Sequence, residues 1–386
     1  MTRSLNHTIL LLLLAAALSQ CKDRYDAPHI APSAGYLVVE GYITGNGPTR
    51  ITLSRTIPLS DSRTLKPEKD AQLQVEGDDN SSWPLADQTN GSYGIDTLPL
   101  NPAVKYRLRI HTSGGKDYLS DYAPLKPTPA IDSISWAITP DGVGIFANTH
   151  DPSSATRYYQ WSYEETWQYY SARVSNWKYK GPPPEMIFRT YDEQIYTCWG
   201  SGIATALLLG SSDKLSQDVI YRHLLRTIPG GSIELANKYS ILVKQYALTE
   251  DAYNYLTLMQ KNSESLGSIF DAQPSFLKGN IHCLSTPTEQ VIGYISAGNV
   301  QTQRIFILNS QIPPELQYRF SCPANDRIVP LDSLEDFFAP GKGYTPIDQH
   351  FSMLTGMVDG YLGNFAGCVD CRIRGGVTTK PSFWPN

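Results

Sequence analysis

The residues best suited to chemistry are the histidines, but their spacing matches no catalytic or metal-binding motif. No H-E-x-x-H or H-x-x-x-H pair occurs, and the chain has no G-x-S-x-G, Walker or G-x-G-x-x-G sequence. We therefore expect no cofactor and no metal. Surface or core roles are expected for the histidines that follow the first twenty residues, His29, His111, His150, His223, His282 and His350.

Carboxylates are plentiful, and two adjacent pairs stand out, Glu164-Glu165 and Asp192-Glu193. A glycosidase needs two carboxyl groups at a defined separation in space, which adjacency along the chain does not provide. Adjacent acids are typical of a solvated edge. The sequence therefore predicts a protein that is not an enzyme, with a hydrolase as the alternative.

The cysteines predict a disulfide framework. Of the six, Cys21 lies at the end of an N-terminal apolar run and is a candidate for lipidation. The other five are Cys198, Cys283, Cys322, Cys368 and Cys371. Two bridges and one free thiol is the simplest arrangement in an oxidising compartment, and sequence alone does not give the connectivity. Two alternatives concern Cys368-Val-Asp-Cys371: half a zinc knuckle completed by His282-Cys283, or a C-x-x-C redox motif.

Aromatic residues concentrate between Tyr158 and Tyr179, where nine tyrosines and tryptophans fall within 22 residues. Tyr159, Trp161 and Tyr163 share parity, which a buried strand face explains. The remainder exceed what one strand face can bury, so core packing, a protein interface and a platform for peptide or glycan ligands all stay open. The candidate contact surface comprises Trp167, Tyr169, Tyr170, Trp177 and Tyr179.

The composition limits the class of protein that presents these residues. Charged residues make up only 18% of the 386, tyrosine contributes 24, and Gly and Pro contribute 29 and 27. Such a chain is neither disordered nor a coiled coil, and it favours β-structure. A net charge of −5 without a basic stripe argues against nucleic acid as a partner.

The N-terminus predicts export and a membrane anchor. Residues 9–18 form an uninterrupted apolar run, too short to span a bilayer but suited to a signal peptide over residues 1–20. Leu18-Ser19-Gln20-Cys21 resembles a lipobox, so we expect acyl chains on Cys21 and a polar tether over residues 21–35. An ordinary signal peptide is the alternative. Lys22-Asp23 favours the cell surface, although an Asp after the cysteine can also signal inner-membrane retention.

Two β-rich domains are expected after the tether. Over residues 36–127, short alternating strands separated by turn residues predict an immunoglobulin-like β-sandwich. Its clearest signal is the stretch 104–110, where apolar residues interleave with Lys and Arg. Three prolines in residues 124–129 predict a linker.

Residues 128–386 form the second predicted domain, which is β-rich and contains an inserted irregular segment between Trp167 and Gly200. Within that segment, Pro182-Pro183-Pro184 predicts a stiff polyproline piece. Helical spacing of apolar residues near 250–266, with Thr249 as N-cap, predicts at least one helix. The fold class expected for the whole chain is therefore mainly β.

Several segments together resemble one known family. They are residues 239–249, 266–275 and 279–283, Val291-Ile-Gly-Tyr-Ile-Ser296, Cys368-Val-Asp-Cys371, and the ending Arg374-Gly-Gly with Lys380-Pro-Ser-Phe-Trp384. This set resembles the Bacteroidota lipoprotein family called domain of unknown function 4249. The resemblance covers about residues 36–384 and implies an outer-membrane lipoprotein, often encoded beside a TonB-dependent transporter, with a β-sandwich first module. It implies no catalytic residues.

Together these observations predict a non-catalytic, lipid-anchored outer-membrane protein, exposed at the cell surface. Its expected role is that of an accessory binding component of a TonB-dependent transporter in nutrient capture or uptake. A stand-alone surface adhesin or glycan-binding lipoprotein is the alternative. The partners expected are the membrane, the transporter, and a peptide or glycan ligand.

Overall fold

A computed structural model describes residues 35–57, 66–264 and 278–385. The predicted signal peptide, the tether up to residue 34 and the lipidation site Cys21 lie outside the described residues. Within the described part the chain is mainly β, which confirms the predicted fold class. No helix in these ranges is long and apolar enough to cross a membrane.

The strands follow one another along the chain with few helices between them. In chain order they are β1 (Leu37–Thr44), β2 (Thr49–Arg55), β3 (Lys66–Pro67), β4 (Gln72–Gly77), β5 (Ser82–Asp87), β6 (Ser92–Ile95), β7 (Lys105–His111), β8 (Asp117–Ser120), β9 (Ala123–Lys126), β10 (Ile131–Thr139), β11 (Gly142–Asp151), β12 (Tyr158–Tyr170), β13 (Trp177–Lys180), β14 (Glu185–Phe188), β15 (Thr197–Ile203), β16 (Leu208–Ser211), β17 (Asp218–Pro229), β18 (Lys238–Leu248), β19 (Ile281–Cys283), β20 (Val291–Ile292), β21 (Ser296–Gly298), β22 (Val300–Leu308), β23 (Arg327–Pro330), β24 (Tyr344–Phe351) and β25 (Val358–Phe365). The helices are α1 (Glu250–Glu264), α2 (Leu334–Phe338) and α3 (Ala366–Val369).

The first module is a β-sandwich whose two sheets share their edge strands. β5 pairs with both β4 and β6, and β9 pairs with both β7 and β21. The strands of the first module are therefore hydrogen-bonded in a closed ring. Closure leaves fewer strand edges free to pair with another chain. The alternation of β7 is as predicted: Tyr106, Leu108 and Ile110 are buried, and the outward Arg107 and Arg109 both donate to Glu76, at 2.8 and 2.5 Å.

Residues 281–298, which the sequence analysis placed in the second domain, return to the first module. β19 pairs antiparallel with β8, while β20 and β21 pair in parallel with β1. Their side chains Ile281, Cys283, Val291, Ile295 and Ala297 belong to the first module's core. The core of the first module therefore includes residues from both sides of the predicted boundary at residue 127. A boundary read along the chain cannot show that a later segment comes back.

An ionic cluster fastens this returning segment to the first module. Glu289, largely buried, accepts from Lys116 at 2.5 Å and from the Tyr118 hydroxyl at 2.7 Å. Arg55, also largely buried, lies 3.5 Å from Glu289 and pairs with Glu68 at 2.8 Å. Burial raises the pKa of Tyr118, which keeps its hydroxyl as a donor to the carboxylate.

The predicted linker is shorter than expected. Pro124 belongs to β9, which is hydrogen-bonded on both sides, so only residues 127–130 connect β9 to β10. Pro124 itself lies opposite Lys105 in the pairing with β7.

The second module is a sandwich of two sheets. One has the order β10-β11-β17, and the other β15-β12-β18-β22 with β16 also on β12. Between them lies a core to which both sheets contribute, including Ile145, Ile228, Trp161, Tyr239 and Ile241. The Trp161 indole donates to Gln245 at 2.9 Å, so this polar group is satisfied inside the core.

The segment between Trp167 and Gly200, predicted to be irregular, contains ordered strands. β12 continues to Tyr170, β13 and β14 form a hairpin, and β15 begins at Thr197. The three prolines make the turn of that hairpin and no extended polyproline piece. The hairpin packs against a small third sheet of order β23-β25-β24.

The predicted helix is present as α1, and Thr249 caps it as expected. The Thr249 hydroxyl accepts from the Ala252 backbone at 3.2 Å, and Glu250 and Asp251 occupy the first turn, where the helix dipole favours acids. The predicted end of the helix near residue 266 lies outside the described residues.

The described cysteines form two disulfides and one free thiol, which confirms the simplest prediction. Cys198 pairs with Cys371, Cys322 pairs with Cys368, and Cys283 is free and buried. Cys368 and Cys371 therefore bond to different partners, and the zinc-knuckle and C-x-x-C redox alternatives are wrong. The groups that the structure describes also hold no cluster of three or more metal-ligating side chains.

This pairing predicts the thiol count of the unacylated Cys21→Ala chain. Unfolded without reductant, it should show one reactive thiol, and after reduction five, because four sulfurs are bonded in pairs. A mass shift on alkylation measures both counts. The Cys283→Ala variant of the same chain should show none before reduction. Five reactive thiols without reductant would contradict the framework.

Candidate functional site

The aromatic residues of β12 divide by parity into a buried and an exposed face. Tyr159, Trp161 and Tyr169 point inward and are fully buried, and Trp167 on the same face is largely buried. Tyr170, of the opposite parity, is 40% exposed. The strand is long enough to carry the inward face on to Tyr169, so a single strand buries more of the cluster than the sequence analysis allowed.

Tyr169 is therefore a core residue and no part of a contact surface. Its hydroxyl donates to the Cys371 carbonyl at 3.0 Å, and the Arg374 guanidinium lies 4.8 Å from its ring centre. Trp167 packs against Gly200, where an added Cβ would come within 2.6 Å of the indole ring. These contacts make both side chains part of the junction between β12, β15 and the C-terminal segment.

Trp177 and Tyr179 lie elsewhere, on β13. The Trp177 ring packs edge-on against Phe188 and Tyr361 at 5.5 and 5.4 Å, and its indole donates to Asp348 at 3.2 Å. Tyr179 packs against the same small core of the third sheet. The five residues predicted to form one contact surface are thus divided among three places. Of the five, Tyr170 lines an open cavity.

That cavity is a groove of about 820 Å³ beside the end of β12. We call it the aromatic groove, after the aromatic residues that line it: Tyr170, Tyr191, Tyr196, Trp199 and Trp384. The Tyr170 and Tyr196 rings are stacked, with centres 5.1 Å apart and planes at 10°, and Tyr191 is 91% exposed. The groove therefore offers flat aromatic faces to a ligand.

The C-terminal segment forms one wall of the aromatic groove. Val377 exchanges two backbone hydrogen bonds with Trp199, at 2.8 and 2.9 Å, and the Cys198–Cys371 disulfide lies beside this bridge. Trp384 is 4% exposed and packs edge-on against Trp199 and Phe306. The wall is thus held both covalently and by packing.

Polar side chains complete the lining. Asn237 donates to Gln168 at 2.7 Å and to the Tyr170 hydroxyl at 3.0 Å, which orients the amides and the ring together. The indole N–H groups of Trp199 and Trp384 are buried without an acceptor among the described residues. Unsatisfied buried donors are rare, so these two mark the place where an added acceptor would stabilise the wall.

The lining is suited to binding. Asp192 is its one carboxylate, and the described lining residues include no histidine or cysteine. Glycoside hydrolysis usually needs two carboxyl groups at a set distance, and the described lining supplies one. The remaining polar groups are amides, threonine hydroxyls and the lysines Lys238 and Lys380. Such groups can fix the orientation of a bound ligand.

The histidines take the structural and surface places expected of them. Burial lowers the pKa of His223, whose ring stacks on Trp161 at 4.5 Å. His29 lies outside the described residues. The other four are at least partly exposed and each pairs with an aspartate: His111 with Asp117, His150 with Asp132, His282 with Asp121, and His350 with Asp359, at 2.7–3.1 Å.

The adjacent acids differ from the prediction at one position. Glu164 is exposed and pairs with Lys244, as a solvated edge requires. Glu165, in contrast, is buried and accepts from the Tyr239 hydroxyl at 2.8 Å and from Arg226 at 3.3 Å. Burial, with this carboxylate nearby, raises the pKa of Tyr239. The alternation of a strand places neighbours on opposite faces, which separates the two acids.

A second, smaller cavity of about 410 Å³ lies where the two modules meet. β1, β18 and α1 line it, and the rings of Tyr42 and Tyr246 meet edge-on at 5.0 Å. The Tyr42 hydroxyl donates to the Ala247 carbonyl at 3.2 Å. These contacts join the modules, so the cavity is part of their interface.

Sequence reasoning missed four of the five aromatic residues of the groove. Tyr191, Tyr196 and Trp199 come from the segment expected to be irregular, and Trp384 comes from the C-terminus. Trp199 lies between Cys198 and Gly200, and Trp384 precedes Pro385, but Tyr191 and Tyr196 have no such neighbour that could have marked them. Nothing in their spacing shows that the Cys198–Cys371 bridge brings them together.

Stability measurements distinguish the buried from the exposed tyrosine. Tyr169→Ala should lower the free energy of unfolding by about 3–5 kcal/mol, because it empties a fully buried aromatic site. Tyr170→Ala, the matched control, should cost less than about 1 kcal/mol, as for an exposed side chain. Urea unfolding followed by fluorescence measures both. Equal losses of unfolding free energy in the two variants would contradict the assignment of Tyr169 to the buried face of β12 and Tyr170 to its exposed face.

Two of the solved structures that match the chain are distant likenesses. No curated protein matches the chain. Among solved structures, the FN1–FN3 domains of chicken CNTN1 match at 13% identity and a TM-score of 0.16, over 55% of this chain and 62% of that one. Chitinase ChiA74 from Bacillus thuringiensis matches at 12% identity and a TM-score of 0.15, over 46% and 29%. This chain thus spans less than two thirds of either structure, and neither likeness bears on function.

The family match covers most of the chain. A family model described as a domain of unknown function, DUF4249, matches residues 23–304. The match includes the whole first module, the returning segment and most of the second module. The chain belongs to the DUF4249 family.

Proposed function

We propose that this protein is a ligand-binding lipoprotein of the outer membrane. Acyl chains on Cys21 would hold it at the cell surface, and the aromatic groove would capture a nutrient for a TonB-dependent transporter. The observation that carries the proposal is the groove itself, in which flat aromatic faces meet oriented amides while its described lining holds a single carboxylate.

Two further features support binding over catalysis. The histidines of the described chain lie outside the groove lining, at surface aspartates or in the core. The groove volume of about 820 Å³ lies within the range of ordinary ligand sites, roughly 300–1,000 Å³. A short oligosaccharide or a peptide fits such a space, and stacking on Tyr170 and Tyr196 would position either.

Anchoring has a direct test. Cys21→Ala should move the protein from the membrane fraction to the soluble fraction, because it removes the acyl chains that supply stable attachment. Immunoblotting of both fractions measures the shift. The control Cys283→Ala alters a thiol of the folded core and should leave the protein on the membrane. Retention of the Cys21→Ala protein would mean that the anchor lies elsewhere.

The transporter role is tested by co-purification. The tagged protein, extracted from outer membranes in mild detergent, should bring down one TonB-dependent barrel in stoichiometric amount, identified by mass spectrometry. Tyr170→Ala with Tyr196→Ala should leave this association intact, since the groove is assigned to the ligand. If no barrel is recovered after cross-linking in intact cells, the transporter role fails.

A stand-alone glycan-binding lipoprotein is the second candidate, and the stacked Tyr170–Tyr196 pair favours it, since sugar rings pack on flat aromatic faces. It predicts that the soluble Cys21→Ala chain binds a polysaccharide on a glycan panel. Tyr170→Ala with Tyr196→Ala should weaken that binding at least about tenfold, at roughly 1 kcal/mol for each ring.

The matched control for this measurement is Tyr221→Ala, an exposed tyrosine on β17 outside the groove lining. It should bind as the unaltered chain does. Binding that survives the double substitution would place the glycan site elsewhere. Absence of binding to every glycan, together with recovery of a barrel, would favour a peptide as the transported ligand.

A further inference from the structure

The hairpin that joins β24 to β25 presents apolar side chains to solvent. Met353 is 102% exposed, Leu354 97% and Met357 72%, and Phe351 at the end of β24 is more than half exposed. Leu331, which follows β23 at the same end of the sheet, is also half exposed. We call residues 351–357 the hairpin tip. Exposed apolar side chains gathered at one site mark a contact with a protein or a membrane.

Most backbone N–H groups of the hairpin tip are hydrogen-bonded within the tip. Ser352 donates its backbone N–H to Met357 and accepts that of Gly356, at 2.9 and 2.8 Å. The Ser352 hydroxyl accepts the N–H groups of Leu354 and Thr355 at 3.3 and 3.4 Å, and the Thr355 hydroxyl accepts that of Met357 at 3.3 Å. Entry into the interfacial region of a bilayer therefore leaves few N–H groups without a partner.

The hairpin tip also lacks charged side chains. No charged residue occurs between His350 and Asp359, and these two pair with each other at 2.7 Å behind the tip. No lysine or arginine occurs from Gly343 to Cys371. Electrostatic attraction to anionic headgroups needs clustered basic residues, and this stretch of the chain has none.

We propose that the hairpin tip inserts into the interfacial region of a lipid bilayer, driven by apolar burial. The side chains of Met353 and Leu354 project fully into solvent. Side chains that project in this way can enter a lipid bilayer without a matching pocket. Leu, Met and Phe partition favourably into hydrocarbon. The side chains that dominate protein contacts, Trp, Tyr and Arg, are missing from residues 351–357. This inference does not depend on the proposed function.

The test uses vesicle flotation with the unacylated Cys21→Ala chain, so that no lipid anchor contributes. The chain should float with phosphatidylcholine vesicles equally well at low and high salt. Met353→Ser with Leu354→Ser should lower the partition coefficient at least about tenfold, because each removes an apolar side chain that burial would stabilise. Urea unfolding should show unchanged stability, since both side chains lie in solvent.

The matched control replaces two exposed apolar residues outside the tip, Ile203→Ser with Leu215→Ser, and should float normally. Failure of the Cys21→Ala chain to float, or an equal loss in the control, overturns the proposal. Flotation that high salt abolishes also overturns it, because the attraction would then be electrostatic. So does a dimer in light scattering that the Met353 and Leu354 substitutions abolish, since the tip would then be a contact between copies.

Discussion

The parallel pairing of residues 291–298 with β1 is the constraint on which the arrangement of the two modules depends. A parallel strand cannot be added by a tight turn and needs a long crossover connection. In this chain most of the second module lies within that crossover, between β1 and β20. β21 ends at Gly298 and β22 begins at Val300, which leaves one residue between a strand of the first module and a strand of the second. Two sandwiches that could otherwise pivot about residues 127–130 are thereby connected twice.

The sequence could predict those features of the fold that depend on neighbouring residues, such as single strands and the start of a helix. The alternation of Lys105–His111 identified a half-buried strand, and Thr249 identified the start of a helix. Both signals are local, because the residues that produce them are close neighbours along the chain. The return of residues 281–298 depends on partners more than 150 positions away. No local pattern encodes such a pairing, and the same holds for the two disulfides.

The candidate site shows the same division at the level of single side chains. Tyr169 and Tyr170 are neighbours of one type, yet one lies in the core and one in the groove, because successive residues of a strand face opposite ways. Parity could have separated them had the strand been predicted to its full length. The other groove residues meet only through the fold of the C-terminal segment onto β15, a contact that a bridge across 173 residues maintains.

That bridge links the groove to the redox state of its surroundings. Cys198 lies between the lining residues Thr197 and Trp199, and Cys371 precedes the segment that forms the wall. Where thiols are kept reduced, Val377 and Trp384 must hold the wall by hydrogen bonds and packing alone. Oxidation converts a docked tail into a fixed wall. The shape of the groove is therefore most firmly fixed where the Cys198–Cys371 bridge is oxidised.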